Sequence, residues 1–366
     1  MASKAQLATL EELVACFEDL EDPRSEVNRK HPLVSVVSIS IMAVLAGADG
    51  PTSIHRWAMN LEEQLPQVLD LPNGIPSRDV IRRVLCALRP EVFQQCFSEW
   101  IDRLIGVSDG QSQRHVAVDG KTLRGSSDTN KGIGPLHLVS AWASEKGLTL
   151  AQVPTDQKSN EITAIPELLK LIDLGKSIIT MDAMGTQKKI AQQIVDGNGN
   201  YILALKANHE STHTAVINYV EELLNDNPSR TPHQQLDDSP KKQIHGRNES
   251  RIYMQFEVPS DFPNRSHWAG LRTIGLVVYT VTQGDKEQTD IRYYLSSLPL
   301  DVGVFARCVR NHWAIESTCH WSLDVTYNED GLKSRNRLGT ENMAWLRRFT
   351  LSLLKQHPRR RSLVMK

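Results

Sequence analysis

The stretch from residue 115 to 206 constrains the fold more than any other part of this 366-residue chain. Three apolar runs come first, HVAVDG (115–120), LHLVSAWAS (136–144) and LTLAQVP (148–154). The last two are separated only by Glu145, Lys146 and Gly147, a hairpin-length turn. Helix-like and strand-like segments then alternate: SNEITAIPELLKLID with Ser159 or Asn160 as its cap, SIITMD (177–182), TQKKIAQQIVDG and YILALK (201–206). Sequential strands followed by alternation of helix and strand predict a mixed α/β sheet covered by helices.

The flanks read differently. Residues 1–107 carry helical spacing throughout, in LATLEELVACFEDL, in Val34–Ala48 and in PSRDVIRRVLCALRPEVFQQCFSEWIDRLIG. Beyond Lys206 the chain turns polar and then strand-rich (SRIYMQFEVP, LRTIGLVVYTVTQ, DIRYYLSSLP), a span too long for a loop. Helix returns from Val302 to about Asp324 and again over Arg335–Leu354. The expected organisation is a helical N-terminal domain (1–107), the first part of a catalytic domain (114–206) and a β-rich insertion (207–298). A C-terminal helical part of the catalytic domain (299–355) and a basic tail (356–366) complete it. The order of elements in 114–206 is that of the ribonuclease-H-like fold. The expected class is therefore α/β: a ribonuclease-H-like mixed sheet with flanking helices, interrupted by the insertion, plus the small helical domain.

Composition narrows the function classes. The net charge of -1 conceals a basic end: residues 331–366 hold ten Lys and Arg against one acid, Glu341, leaving 32 bases and 42 acids before them. A basic terminal segment is either a solvated end or the electrostatic footprint of a polyanion partner. Five scattered cysteines (Cys16, Cys86, Cys96, Cys308, Cys319) include no CxxC pair, which argues against a disulfide framework and a thiolate zinc site. The first residues are acidic and lack the apolar core of a signal peptide. Val34–Ala48 is interrupted by serines and shorter than the roughly 20 residues of a membrane span, so it is expected to be a buried helix.

Three acids organise the chemistry. Asp119 closes one apolar strand, Asp182 closes another, and Glu316 lies on the helical segment RNHWAIESTCHW. A carboxylate at the C-terminal end of a buried strand stands where sheet meets solvent, and such groups from distant segments can converge on divalent ions. Plainer readings exist: Asp119 with Gly120 suits a turn, and Asp182 suits a helix cap, although it comes early for one. Glu316 borders the apolar face of Cys308, Ile315 and Cys319. His312, Glu316, His320 and Asp324 follow one another at i+4 steps, without the HExxH spacing of zinc helices. Oxygen-ligated Mg²⁺ fits better, with His312 or His320 against phosphate. Two metals held about 3.5–4 Å apart would activate an attacking oxygen and stabilise the leaving one.

The motifs together resemble a known family. VAVDGKTLRGS, TDQKSNEITAIPELL, IITMDAMGTQKKIA, YILALKANH, HGRNESR, RYYLSS and RNHWAIESTCHWSLDVTYNEDGLKSR are similar, in order, to the H-repeat-associated transposases, a branch of the DDE insertion-sequence transposases. The resemblance spans nearly the whole chain. It implies metal-dependent DNA cleavage at element ends and strand transfer to target DNA, with Asp119, Asp182 and Glu316 as the catalytic, metal-binding triad. It also implies Mg²⁺ or Mn²⁺ as cofactor, terminal inverted repeats and target DNA as partners, a homodimer in the synaptic complex and a cytoplasmic or nucleoid location. Related transposases carry Y-x2-R-x3-E-x6-K around the glutamate. Here those positions are Val309, His312 and Leu323, leaving His312, Arg310 or Lys333 to replace the missing cations. A nuclease without strand transfer, and a domesticated or inactive DNA-binding protein, are the alternatives.

Further residues are candidates for weaker reasons. Glu161 heads the helix after the third strand, where it is an additional metal ligand candidate. Lys121, Arg124, Lys206, Asn208, Arg247, Arg310, His312, His320, Lys333 and Arg335 are candidate DNA contacts, joined by Arg251, Arg337, His245 and Gly246. Trp313 and Trp321 on the glutamate helix read as core packing before base stacking. Arg78, Arg82 and Arg83, on a helix capped by Ser77, read as a solvated basic face, with a helix-turn-helix-like reader as the alternative.

Overall fold

The computed structural model describes residues 14–18, 20–106, 113–155, 161–226, 233–240 and 247–357. The chain divides into two compact units: 1–111 with 120–160 and 315–366, and 112–119 with 161–314. It is a mixed α/β fold with a large mixed sheet and flanking helices. No helix among the described residues is long and apolar enough to cross a membrane.

The first unit is built around its C-terminal helix. Helices α1 (Leu33–Leu45), α2 (Pro51–Met59), α3 (Arg78–Ala87) and α4 (Pro90–Gly106) come from the N-terminal region. The closing helix, which we number last as α9 (Arg337–Gln356), packs against α1, α3 and α4. Two of the three buried serines of α1 give their hydroxyls to carbonyls: Ser40 donates to Val36 O at 2.8 Å and Ser35 to Asp70 O at 2.7 Å. Ser77 caps α3, its Oγ accepting from Val80 N at 3.4 Å, and Asn336 caps α9 by accepting from Gly339 N at 2.7 Å. Asn342 of α9 donates to Leu85 O and Leu88 O, satisfying carbonyls at the end of α3. Phe17, Phe93, Phe97, Trp100, Trp345 and Phe349 form one aromatic cluster. The unit also holds the antiparallel pair β2 (Leu136–Ala143) and β3 (Leu148–Thr155), with Thr149 N donating to Ser352 Oγ of α9.

In the second unit the strands form one sheet in the order β1-β4-β5-β9-β8-β7-β6. β1 (Arg114–Leu123, of which 114–119 lie here), β4 (Ser177–Met181) and β5 (Asn200–Leu205) run parallel. β6 (His233–Asp237), β7 (Asn248–Glu257), β8 (Thr273–Gln283) and β9 (Lys286–Ser296) continue it antiparallel. The strand-rich segment thus extends the sheet of β4 and β5 and does not build a sheet of its own. Parallel strands need crossovers, supplied by α5 (Glu161–Leu169) and α6 (Lys188–Asp196), while α7 (Glu210–Asp226) follows β5. Helix α8 (Val302–Ile315) lays Phe305, Ala306, Cys308 and Val309 onto Ile178, Ile202, Tyr253, Val277 and Tyr294. Gly275 on β8 makes room for this, since a Cβ there would fall inside the Phe305 ring.

Candidate active site

The parallel register of β1 and β4 sets the centre of the site. Val118 pairs with Met181, so Asp119 and Asp182 follow at the same level on neighbouring strands. Paired strands lie about 4.8 Å apart, which brings two carboxylates 63 residues apart in sequence side by side, Asp119 within β1 and Asp182 just past the end of β4. Asp119 is half-buried and Asp182 is exposed.

The loop after β4 is shaped by Asp182 itself. Its Oδ1 accepts from Met184 N at 3.0 Å and Gly185 N at 3.1 Å, while Thr186 Oγ1 donates to Asp182 O and Ala204 O. The carboxylate is therefore a turn acceptor, and the cap position of α6 falls to Gln187. Asn208, expected as a phosphate contact, donates Nδ2 to Ala183 O at 2.8 Å and so braces the same loop. The neighbouring His209 bonds Thr186 O.

A polar chain runs behind this edge. His115 Nε2 lies 2.8 Å from Thr180 Oγ1, which lies 2.9 Å from His312 Nδ1 on α8. Burial pushes the His115 imidazole down to about 3, helped by the charges of His312 and Arg307. Burial likewise takes His312 down to about 4, against the opposing pull of the Asp182 carboxylate. Both rings are neutral at pH 7. His115 and Thr180 were not among the expected site residues; their signal was one polar side chain in each of the apolar strand runs that lead to Asp119 and Asp182.

Glu316 follows four residues after His312, and it is exposed. Continuous α-helix was expected here, but the chain winds as π-helix over Glu316–His320 and again over Ser322–Thr326. Such windings are rare and concentrate at functional sites, and they break the uniform i+4 ladder. In the same unit Lys121 is buried and gives its ammonium to Asp324 at 2.5 Å, with Glu329 at 3.9 Å. Glu329 is sealed by Arg348 at 2.7 Å. Lys121 is thus held inside an ion-pair network. Gly125 lies so close to the Asp330–Leu332 backbone that a Cβ would sit 2.5 Å from Asp330 O, and Arg124 N donates to Asp330 Oδ1.

The remaining candidates are spread. Lys206, Arg247, Lys333 and Arg335 are exposed, and Arg335 also pairs with Asp128 at 3.4 Å. Arg310 pairs with Asp238 at 3.1 Å, and Arg251 with Glu249. Arg337 donates to Gly134 O, His320 is half-buried, and Glu161 is buried at the start of α5. His245 and Gly246 lie outside the described residues. Trp313 and Trp321 are 49% and 56% exposed, and Arg292 covers one face of Trp313 at 3.9 Å. Arg78 and Arg82 pair with Asp79 on the solvated face of α3.

Among the described residues no three His, Cys, Asp or Glu side chains form a ready-made metal cage. The donor set still fits a hard cation. Mg²⁺ is commonly held by one or two carboxylates, with water and substrate phosphate as the other ligands, and Asp119 and Asp182 are such a pair. Asp182 Oδ2 accepts no hydrogen bond among the described residues, which leaves it for an ion.

The family described as "Transposase DDE domain" matches residues 110–354, and "DDE_Tnp_1-associated" matches residues 14–101. The chain is 36% identical over 356 residues to "Putative transposase YncI" of Escherichia coli O157:H7, covering 95% of this chain and 88% of the relative. It is 35% identical over 350 residues to "H repeat-associated putative transposase YhhI" of Escherichia coli strain K12, covering 94% and 90%. A cryo-EM structure of a piggyBac transposase synaptic complex with hairpin DNA aligns at TM-score 0.37 and 12% identity, over 95% of this chain and 73% of that one; a likeness this low carries no argument.

Proposed function

This chain belongs to the family of transposases with a DDE domain, and from that premise we propose that it cuts DNA at the ends of its own element and joins them to a target. The observation that carries the proposal is the pair Asp119, within β1, and Asp182, one residue past β4, brought level by the parallel register of the two strands. Glu316, one helical step beyond His312, is the third acid of the triad, and Glu161 is a further ligand candidate. A ribonuclease-H-like reading of the sheet is supported by the parallel run of β1, β4 and β5 and by the antiparallel pair β2 and β3.

Bound Mg²⁺ or Mn²⁺ would supply Lewis-acid activation of the attacking oxygen and neutralise charge on the leaving one. The protein's own contribution is placement. Asp119 and Asp182 present oxygens from a rigid sheet, and the backbone bonds of Met184 and Gly185 fix the orientation of the second carboxylate. Exposed Lys206, Arg247, Lys333 and Arg335 suit DNA phosphates, and such contacts make binding fall with added salt. The exposed faces of Trp313 and Trp321 suit stacking on unpaired bases. Water attacks first, and the freed DNA 3′-hydroxyl then attacks the target, for which two ends and hence two copies of the chain are expected.

The test is a joining assay. Purified protein is incubated with a labelled duplex made from the DNA flanking its gene, a supercoiled plasmid and Mg²⁺ or Mn²⁺. The label is expected to move into the plasmid. Cut ends that never join would favour a nuclease, and bound but uncut DNA would favour a DNA-binding role without catalysis.

A further inference from the structure

The chain His115–Thr180–His312 has an open end. His115 and Thr180 are buried, whereas His312 is half-buried. His312 Nε2 is not among the buried polar atoms that lack a partner, and it makes no hydrogen bond among the described residues. It is therefore the atom of this chain that a ligand can reach. His115 Nδ1, at the other end, is sealed in the core with no partner among the described residues.

Thr180 has one proton, and with that proton given to one of the two rings the chain can be ordered in two ways. In one, His312 Nδ1–H donates to Thr180 and Thr180 donates to His115 Nε2, which forces the proton of His115 onto Nδ1. That would bury an N–H with nothing to bond. In the other, His115 Nε2–H donates to Thr180, Thr180 donates to His312 Nδ1, and only a bare lone pair is buried. Orphaned buried N–H groups are the rarer and dearer defect. The second order places the His312 proton on Nε2, the open atom of a ring on which the Asp182 carboxylate acts.

We propose that Thr180 and His115 are positioning residues that hold His312 as a neutral Nε2–H donor to a non-bridging oxygen of the scissile DNA phosphate. Such a donor answers the absence of an arginine at this helix position. The inference rests on the reading of this site as a DNA-cutting centre.

Two measurements test it separately from that reading. ¹⁵N-histidine NMR of the full chain, with His312 assigned by its loss in His312→Gln, is expected to show a protonated Nε2 and a bare Nδ1. In Thr180→Val the preference should be lost, and Thr180→Ser should restore it. A protonated Nδ1 with a bare Nε2 in the parent overturns the proposal. In single-turnover cleavage of the labelled flanking duplex, Thr180→Val is expected to lose about 10- to 100-fold in rate at unchanged DNA affinity, with Thr180→Ser near the parent. Parental rates in Thr180→Val overturn the positioning role. The expected tautomer in a protein that cuts no DNA would refute the phosphate contact together with the proposed function, while leaving the proton order standing.

Discussion

Glu341 shows how single residues couple this chain to pH. Burial and the nearby charge of Glu91 push its carboxyl up to about 7. The folded chain holds this proton more tightly than the unfolded one, so the stabilisation is complete below the ordinary value of 4.5 and is lost as the pH rises through 7. Glu341→Gln is expected to gain roughly 1–2 kcal/mol over the parent at pH 8, discounted for partial exposure, and nothing at pH 4. Urea unfolding at the two pH values measures this, and an equal effect at both would contradict it. Sequence reading at this scale picks out Asp119 and Asp182 and does not see what the candidates around them bond. Asp119 and Asp182 were legible because each ends an apolar run. Lys121 and Asn208 looked like phosphate ligands because nothing local reveals that one is buried against Asp324 and the other bonds Ala183 O. Those partners are distant in sequence, and only folding brings them close.

Elements are held by two kinds of tight packing, and each can be challenged. Gly275→Ala would drive a methyl into Phe305 and push α8 from the sheet, with an expected loss of about 1–3 kcal/mol by overpacking. Denaturant unfolding checks it; an unchanged midpoint would show that the ring moves freely. In the first unit, Arg348→Met leaves the buried Glu329 without its closest cation, and a loss of about 3–5 kcal/mol is expected. Adding Glu329→Gln should recover much of that loss in a double-mutant cycle, and strict additivity would argue against the pair. Strands and helices were largely readable from apolar periodicity, including the final helix, expected over Arg335–Leu354 and found over Arg337–Gln356. The π-winding after Glu316 was not, because His312, Glu316, His320 and Asp324 fit ordinary helical spacing equally well. Winding of that kind is decided by packing, not by the local pattern.

The whole molecule distributes its acids along a chain that crosses four times between two compact units. The second unit's share of β1 ends at Asp119, and the first unit resumes at Ile315, one residue before Glu316. Sequence reading separated an N-terminal helical region from the C-terminal helix, yet α9 lies in one core with α1, α3 and α4. Amphipathic spacing shows that a helix has a face to bury and does not name the helix that covers it. Family membership was legible at this scale through motif order, because the spaced motifs resemble, in order, those of the family to which the chain belongs.

Cleavage of a labelled flanking duplex in Mg²⁺, run beside a gel-shift with the same DNA, tests the central claim most directly. Asp119→Asn, Asp182→Asn and Glu316→Gln are each expected to bind as the parent does and to cut at least about 10²-fold more slowly. Parental cutting by any one of the three would contradict a metal-dependent site built on that acid.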